Sequence, residues 1–181
     1  MTEQTIEQVA AADAAGVSAD VVESVLASAP PPELIEVALG VARVFAELDE
    51  EAARKYLAPD FVDHESSSPE IGAGPAGYLA TARYMRGAFS EATWRPLDFV
   101  AAGDRFAVVV EFSGVHTGEF LGVAPTGNRI RVRHLHFYRV AGGRAVEHWG
   151  ARDELALLRQ IGAFTPEELT PADAAAAGKH Q

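Results

Sequence analysis

The chain has 181 residues, 15 Lys and Arg against 26 Asp and Glu, a formal charge of −11, 48% apolar residues and no cysteine. One folded domain with short tails fits that composition, while the acidity disfavours phosphate backbones and the missing thiols exclude a disulfide scaffold, thiolate metal ligation and a cysteine nucleophile. No apolar run approaches the ~20 residues of a membrane helix, and Met1 to Gly16 lacks the basic start and apolar core of a signal peptide, so a cytoplasmic protein is expected.

Val17, Val21, Val22, Val25 and Leu26 recur at helical spacing before Pro30, Pro31 and Pro32, so residues 1–32 are expected to form an accessory helix and a proline hinge. The domain proper is expected over 33–164. It begins with a helix whose stripe comprises Leu34, Val37, Val41, Val44, Phe45 and Leu48. A second helical segment, Asp49 to Leu57, leads into the extended piece Phe61-Val62-Asp63-His64. Glu65 to Gly74 holds too many Ser, Pro and Gly residues for a regular element and is expected to be a loop. Pro75 to Phe89 reads as a helix with Tyr78, Leu79, Ala82, Met85 and Phe89 on one face.

Thereafter β-type residues dominate. Trp94 to Ala101, Arg105 to His116, Asn128 to Val140 and Arg144 to Trp149 are expected as successive antiparallel strands, with turns at Gly103-Asp104 and Gly142-Gly143. Asp153 to Gln160 closes the domain as a helix, and residues 165–181 form an alanine-rich, frayed tail. Helices followed by long antiparallel strands imply an α+β fold, a curved antiparallel sheet wrapped around the N-terminal helices. Such a cone offers a pocket for an apolar small molecule. The nearest approach to a basic patch, Arg129, Arg131, Arg133, Arg139 and Arg144, reads as a solvated or ion-paired strand face of alternate arginines, so no nucleic-acid partner is expected.

Candidate chemistry concentrates in histidines. In Val132 to Tyr138, period-two alternation places Val132, His134, His136 and Tyr138 on one face and Arg133, Leu135 and Phe137 on the other. If Ala141-Gly142-Gly143 forms a three-residue loop, Val140 pairs with Arg144 and the next strand delivers His148 and Gly150 to the histidine face; a two-residue loop instead delivers Glu147 and Trp149. Asp63, at a strand end beside the Ser/Gly loop, is placed to reach into a cavity mouth as an acid or base, or to cap the turn. Asp153 is an N-cap first and a catalytic candidate second. His64, His116, His148, Trp149, Tyr138 and Phe45 are candidate substrate contacts. A histidine pair can also ligate a metal, with Asp63, His64 or Asp153 as third ligand, but no recognised metal spacing such as HExxH occurs, and neither a GxSxG elbow nor a Walker loop is present. Acid/base chemistry without metal or cofactor is the expectation.

The stretch from Gly114 to Gly127, including His116-Thr117-Gly118-Glu119-Phe120, together with Arg131 to Arg139, Glu147-His148-Trp149, Asp153 and Leu158 to Gly162, resembles the SnoaL-like polyketide cyclases. These belong to the NTF2-like or ketosteroid-isomerase-like superfamily of cone-shaped α+β barrels, and the match runs from about Leu34 to Gly162. The resemblance implies an enzyme that closes a ring in a polyketide by intramolecular aldol chemistry, using an aspartate at the end of the last strand and a pocket histidine. His136 matches that histidine, whereas the aspartate position falls on Gly150, with Asp153 three residues beyond. The acid/base is therefore expected either at Asp153 turned inward or, preferentially, in Asp63 paired with His136, with His134 or Tyr138 donating to the enolate oxygen. The superfamily also hosts dehydration, isomerisation, cofactor-free hydroxylation, pericyclisation and non-catalytic binding. It commonly forms homodimers, for which the outer face bearing Arg131, Arg133, Leu135 and Phe137 is suited.

Overall fold

The computed structural model describes residues 30–65 and 73–164. The expected accessory segment up to residue 29, the middle of the Ser/Gly loop and the C-terminal tail lie outside the described residues.

Helix α1 spans Pro32–Glu47, with a proline in its first turn, where the missing N–H costs nothing, and buries Leu34, Val37, Val41 and Val44. Asp49 caps helix α2, Glu50–Tyr56, by accepting from the Ala52 N–H at 2.8 Å. The two helices approach closely at Gly40, where a Cβ would stand 2.0 Å from the Tyr56 ring, so any side chain there would separate them. Strand β1, Leu57–Asp63, follows directly. Helix α3, Gly74–Ala88, buries Tyr78, Leu79, Ala82 and Met85.

Four long strands come next: β2 (Phe89–Ala102), β3 (Arg105–His116), β4 (Arg129–Ala141) and β5 (Arg144–Arg152). They form an antiparallel meander within a five-stranded curved open sheet of order β1-β5-β4-β3-β2. The fold is therefore α+β as expected. One pairing differs from the expected pattern, because β1 lies parallel to β5 at the sheet edge, with Asp63 opposite His148. Helix α4, Glu154–Gln160, is capped by Asp153, which accepts from the Ala156 N–H at 3.0 Å.

The β4–β5 turn is the two-residue loop of the two alternatives, yet β5 presents the face expected of the three-residue one. Ala141 pairs with Arg144, leaving a two-residue loop in which Gly142 and Gly143 both have positive φ, 56° and 71°, the backbone that a tight primed turn demands. Taken alone, that loop would turn Glu147 and Trp149 inward. A register shift between Arg139 and Val140 leaves Val146 unpaired, so Tyr138 faces His148 and His136 faces Gly150. This one-residue bulge exchanges the two faces of β5.

Two apolar clusters hold the sheet against the helices. Phe61, Tyr78, Phe106 and Tyr138 anchor one; Phe89, Phe112, Ile130 and Ile161 anchor the other. Full burial of each such phenylalanine contributes about 1.5–3 kcal/mol. Between the clusters the concave face is left open.

Candidate active site

A cavity of about 420 Å³ lies between α1, α3 and the concave face of the sheet. Its walls are mainly apolar: Leu39 and Phe45 from α1, Met85 from α3, Trp94 and Phe99 from β2, and Phe106 from β3. The volume suits a drug-sized molecule, and the aromatic rings offer flat apolar contacts. Its polar groups arise chiefly where β4 and β5 present their inward positions beside the end of β1.

There Asp63, His148 and His136 form a hydrogen-bonded row. Asp63 Oδ1 lies 2.8 Å from His148 Nδ1, and His148 Nε2 lies 2.9 Å from His136 Nδ1. The parallel β1–β5 pairing supplies the first link by setting Asp63 beside His148, and the β5 bulge supplies the second. Burial pushes the Asp63 carboxyl up, but the hydrogen bond and charge of His148, the Glu65 N–H and the Arg152 guanidinium together hold it below its ordinary value. Burial lowers His136 well below the usual imidazole range, and the charges of His148, His134 and Arg152 add to that effect. Among the described residues, no group of three or more His, Asp and Glu side chains is arranged to hold a metal ion.

His134 stands one strand step before His136 on the same face, its ring centroid 5.8 Å away and nearly perpendicular. Burial and the nearby Arg152 bring its pKa to about 4, against a smaller opposing pull from Asp153, so it is neutral at physiological pH. Its Nε2 is buried with no hydrogen-bond partner among the described residues. Tyr138 lines the same wall, and its hydroxyl lies 2.5 Å from that of Tyr78. Burial raises both phenols above the ordinary value, with Tyr138 adding to the shift of Tyr78.

Asp63, His134, His136, Tyr138, His148 and Phe45 thus meet at one cavity. Four sequence candidates do not. His116 is fully buried at the end of β3, with Nδ1 3.1 Å from Thr126 Oγ1 and its ring tilted against Phe89. His64 and Trp149 stack on each other outside the cavity, centroids 4.5 Å apart and planes 9° apart, because the bulge that turns His148 inward turns Trp149 outward. Asp153 is exposed and occupied as the α4 cap. Conversely, Arg152 and Tyr78 belong to the cavity and were not singled out as site residues. Arg152 follows His148 and Gly150 at period two, a signal available once the register of β5 is known.

Residues 35–161 match the sequence profile of the SnoaL-like polyketide cyclases. The chain is 29% identical over 120 residues to the aklanonic acid methyl ester cyclase DnrD of Streptomyces peucetius, covering 65% of this chain and 80% of the relative. It is 25% identical over 115 residues to the nogalonic acid methyl ester cyclase of Streptomyces nogalater, covering 63% and 86% respectively. The solved structure of IdmH from Streptomyces antibioticus is similar at 32% identity and a TM-score of 0.61, covering 71% of this chain and 97% of that one.

Proposed function

The chain belongs to the SnoaL-like polyketide cyclase family, and from that premise we propose that it closes a ring in a polyketide-type methyl ester by metal-free acid/base catalysis. The observation that supports this most directly is the convergence of Asp63, His136 and His134 on one largely apolar cavity.

In this reading the aromatic walls hold the substrate's rings and exclude water, which strengthens every polar contact inside. His136, neutral at rest because burial disfavours its charged form, removes a proton from a carbon next to a carbonyl. The electron pair left behind forms the enolate. His134 donates a hydrogen bond to the enolate oxygen, a charge that develops only as the reaction proceeds, and that difference accelerates the step. The enolate carbon then attacks a second carbonyl carbon of the same molecule. A carbon–carbon bond forms, the carbonyl π bond breaks, and the resulting alkoxide takes the proton back from His136. Asp63 balances the charge that His136 acquires in between.

The test is a mass-spectrometric assay of chelator-treated protein on a poly-β-ketone methyl ester, comparing wild type with His136→Ala and Asp63→Ala. Turnover that survives the chelator and collapses in both variants is the expected result; full activity in both removes the assignment. Ring closure conserves the substrate mass whereas dehydration loses water, so the product itself separates the two chemistries. We also propose a homodimer through the outer sheet face, where Leu135 and Phe137 are 55% and 38% exposed. Sedimentation of wild type against Leu135→Arg tests this, and a monomeric wild type overturns it.

A further inference from the structure

Resting on that reading of the cavity, we infer that Asp63, acting through His148, fixes His136 as its Nδ1–H tautomer, so that the His136 Nε2 lone pair is the basic atom facing the substrate. His148 and Asp63 are then positioning residues and His136 the catalytic one.

The argument follows the protons along the row. An ionised carboxylate only accepts hydrogen bonds, so the 2.8 Å contact with Asp63 Oδ1 places a proton on His148 Nδ1. In the neutral form of His148 this is the ring's one N–H, which leaves its Nε2 as an acceptor. His136 Nδ1, 2.9 Å away, must therefore be the donor. Its single N–H is then committed to His148, and Nε2 carries a lone pair. The Glu65 N–H, donating to the same Asp63 oxygen at 3.1 Å, reinforces the ionised carboxylate at the head of the row.

The same row can carry charge away from the reacting centre. When the substrate C–H bond breaks, its electron pair stays on the enolate and its proton bonds to His136 Nε2. The proton on His136 Nδ1 can then pass to His148 Nε2, leaving His136 neutral and His148 an imidazolium against the Asp63 carboxylate. Protonation of the alkoxide by His136 Nε2–H reverses both transfers, so no proton is gained or lost over the cycle. The charged or titratable groups flanking the two rings are His134, Tyr78, Tyr138 and Arg152. The guanidinium opposes imidazolium formation, which makes the carboxylate behind His148 more consequential.

Gly150 makes the ring-to-ring contact possible. A Cβ there would stand 3.4 Å from His136 Nδ1 and 3.4 Å from both Cε1 and Nε2 of His148. A methyl group would just touch the two rings, whereas branching at Cβ would wedge them apart. The row thus requires that position 150 carry no branched side chain.

The test is the long-range proton–nitrogen spectrum of the ¹⁵N-labelled full chain at pH 8, without ligand, assigned through single histidine substitutions. The expected result is Nδ1–H for both His136 and His148. Asp63→Ala, which removes the acceptor from His148 Nδ1–H, should release both rings from the Nδ1–H form, and Gly150→Val should release His136 from it as well. Wild-type His136 found as Nε2–H overturns the inference, as does an Asp63→Ala protein in which His136 keeps Nδ1–H. Should either variant fail to fold, the wild-type spectrum decides alone. With substrate, Asp63→Ala should lower kcat by ~10²–10⁴-fold with a much smaller change in KM, the signature of a base no longer held in its working tautomer. Because the spectrum needs no substrate, the expected tautomers without turnover would count against ring closure and leave this inference standing.

Discussion

His148 and His116 are both buried, at 3% and 0% exposure, and both extend from the same face of the sheet into aromatic surroundings. The first has a carboxylate on one nitrogen and a second imidazole on the other, and it borders open space. The second has a threonine hydroxyl on one nitrogen, no partner for the other among the described residues, and a phenylalanine ring packed against it. A histidine becomes chemically useful when its proton has a defined source and destination. Burial and residue type supply neither.

The difference can be tested by substitution on each side of it. The largest effect should come from His136→Ala, which removes the ring proposed to exchange protons between substrate and row; kcat should fall ~10²–10⁴-fold in the mass-spectrometric assay. His134→Leu removes the enolate donor and should lower kcat by ~10²–10³-fold. The same variant sharpens a second contrast, in stability. Because the His134 pKa is lowered to about 4 in the folded chain, the unfolded chain takes up a proton first as pH falls. The stability that the buried neutral ring leaves intact above about pH 6.5 is lost as pH drops from there through about 4, a cost on the order of 3 kcal/mol. Urea unfolding at stepped pH should show that slope in wild type and a flatter one in His134→Leu. Asp153→Ala should have the smallest effect: about 1 kcal/mol of stability through the lost α4 cap, with kcat unchanged. A large loss of kcat there would restore Asp153 to the catalytic machinery and break the distinction drawn from its exposed position.

Much of the site could be read from local pattern because strand alternation is a local property. Val132 to Tyr138 put His134, His136 and Tyr138 on one face without any knowledge of the partners. Asp63 was legible as a strand-end carboxylate beside a loop. The link between it and His136 was not, since it depends on β1 joining the sheet edge parallel to β5 and on Val146 bulging out. A bulge has weak sequence signals, and a glycine pair next to the turn permits two- and three-residue loops alike. Trp149 was misplaced for that reason and Arg152 was missed for the same one, whereas His64 faces out because it directly follows the cavity-facing Asp63 along the chain. His116 was misplaced for another: its position in the strand is inward, but the far end of the cone is filled by Phe89, Phe112 and Phe120.

The α+β class, the helix faces, the strand count after residue 89, the cap at Asp153 and the shared face of the β4 histidines all follow from the order of residues along this chain, because short-range sterics and hydrophobic periodicity act over a few residues. Which histidine meets which carboxylate, where the cavity remains open and which aromatic rings close it were decided only by the tertiary structure. Those contacts join residues as far apart as Asp63 and His148, and at that separation only the pairing register and packing of whole elements set a distance of 2.8 Å.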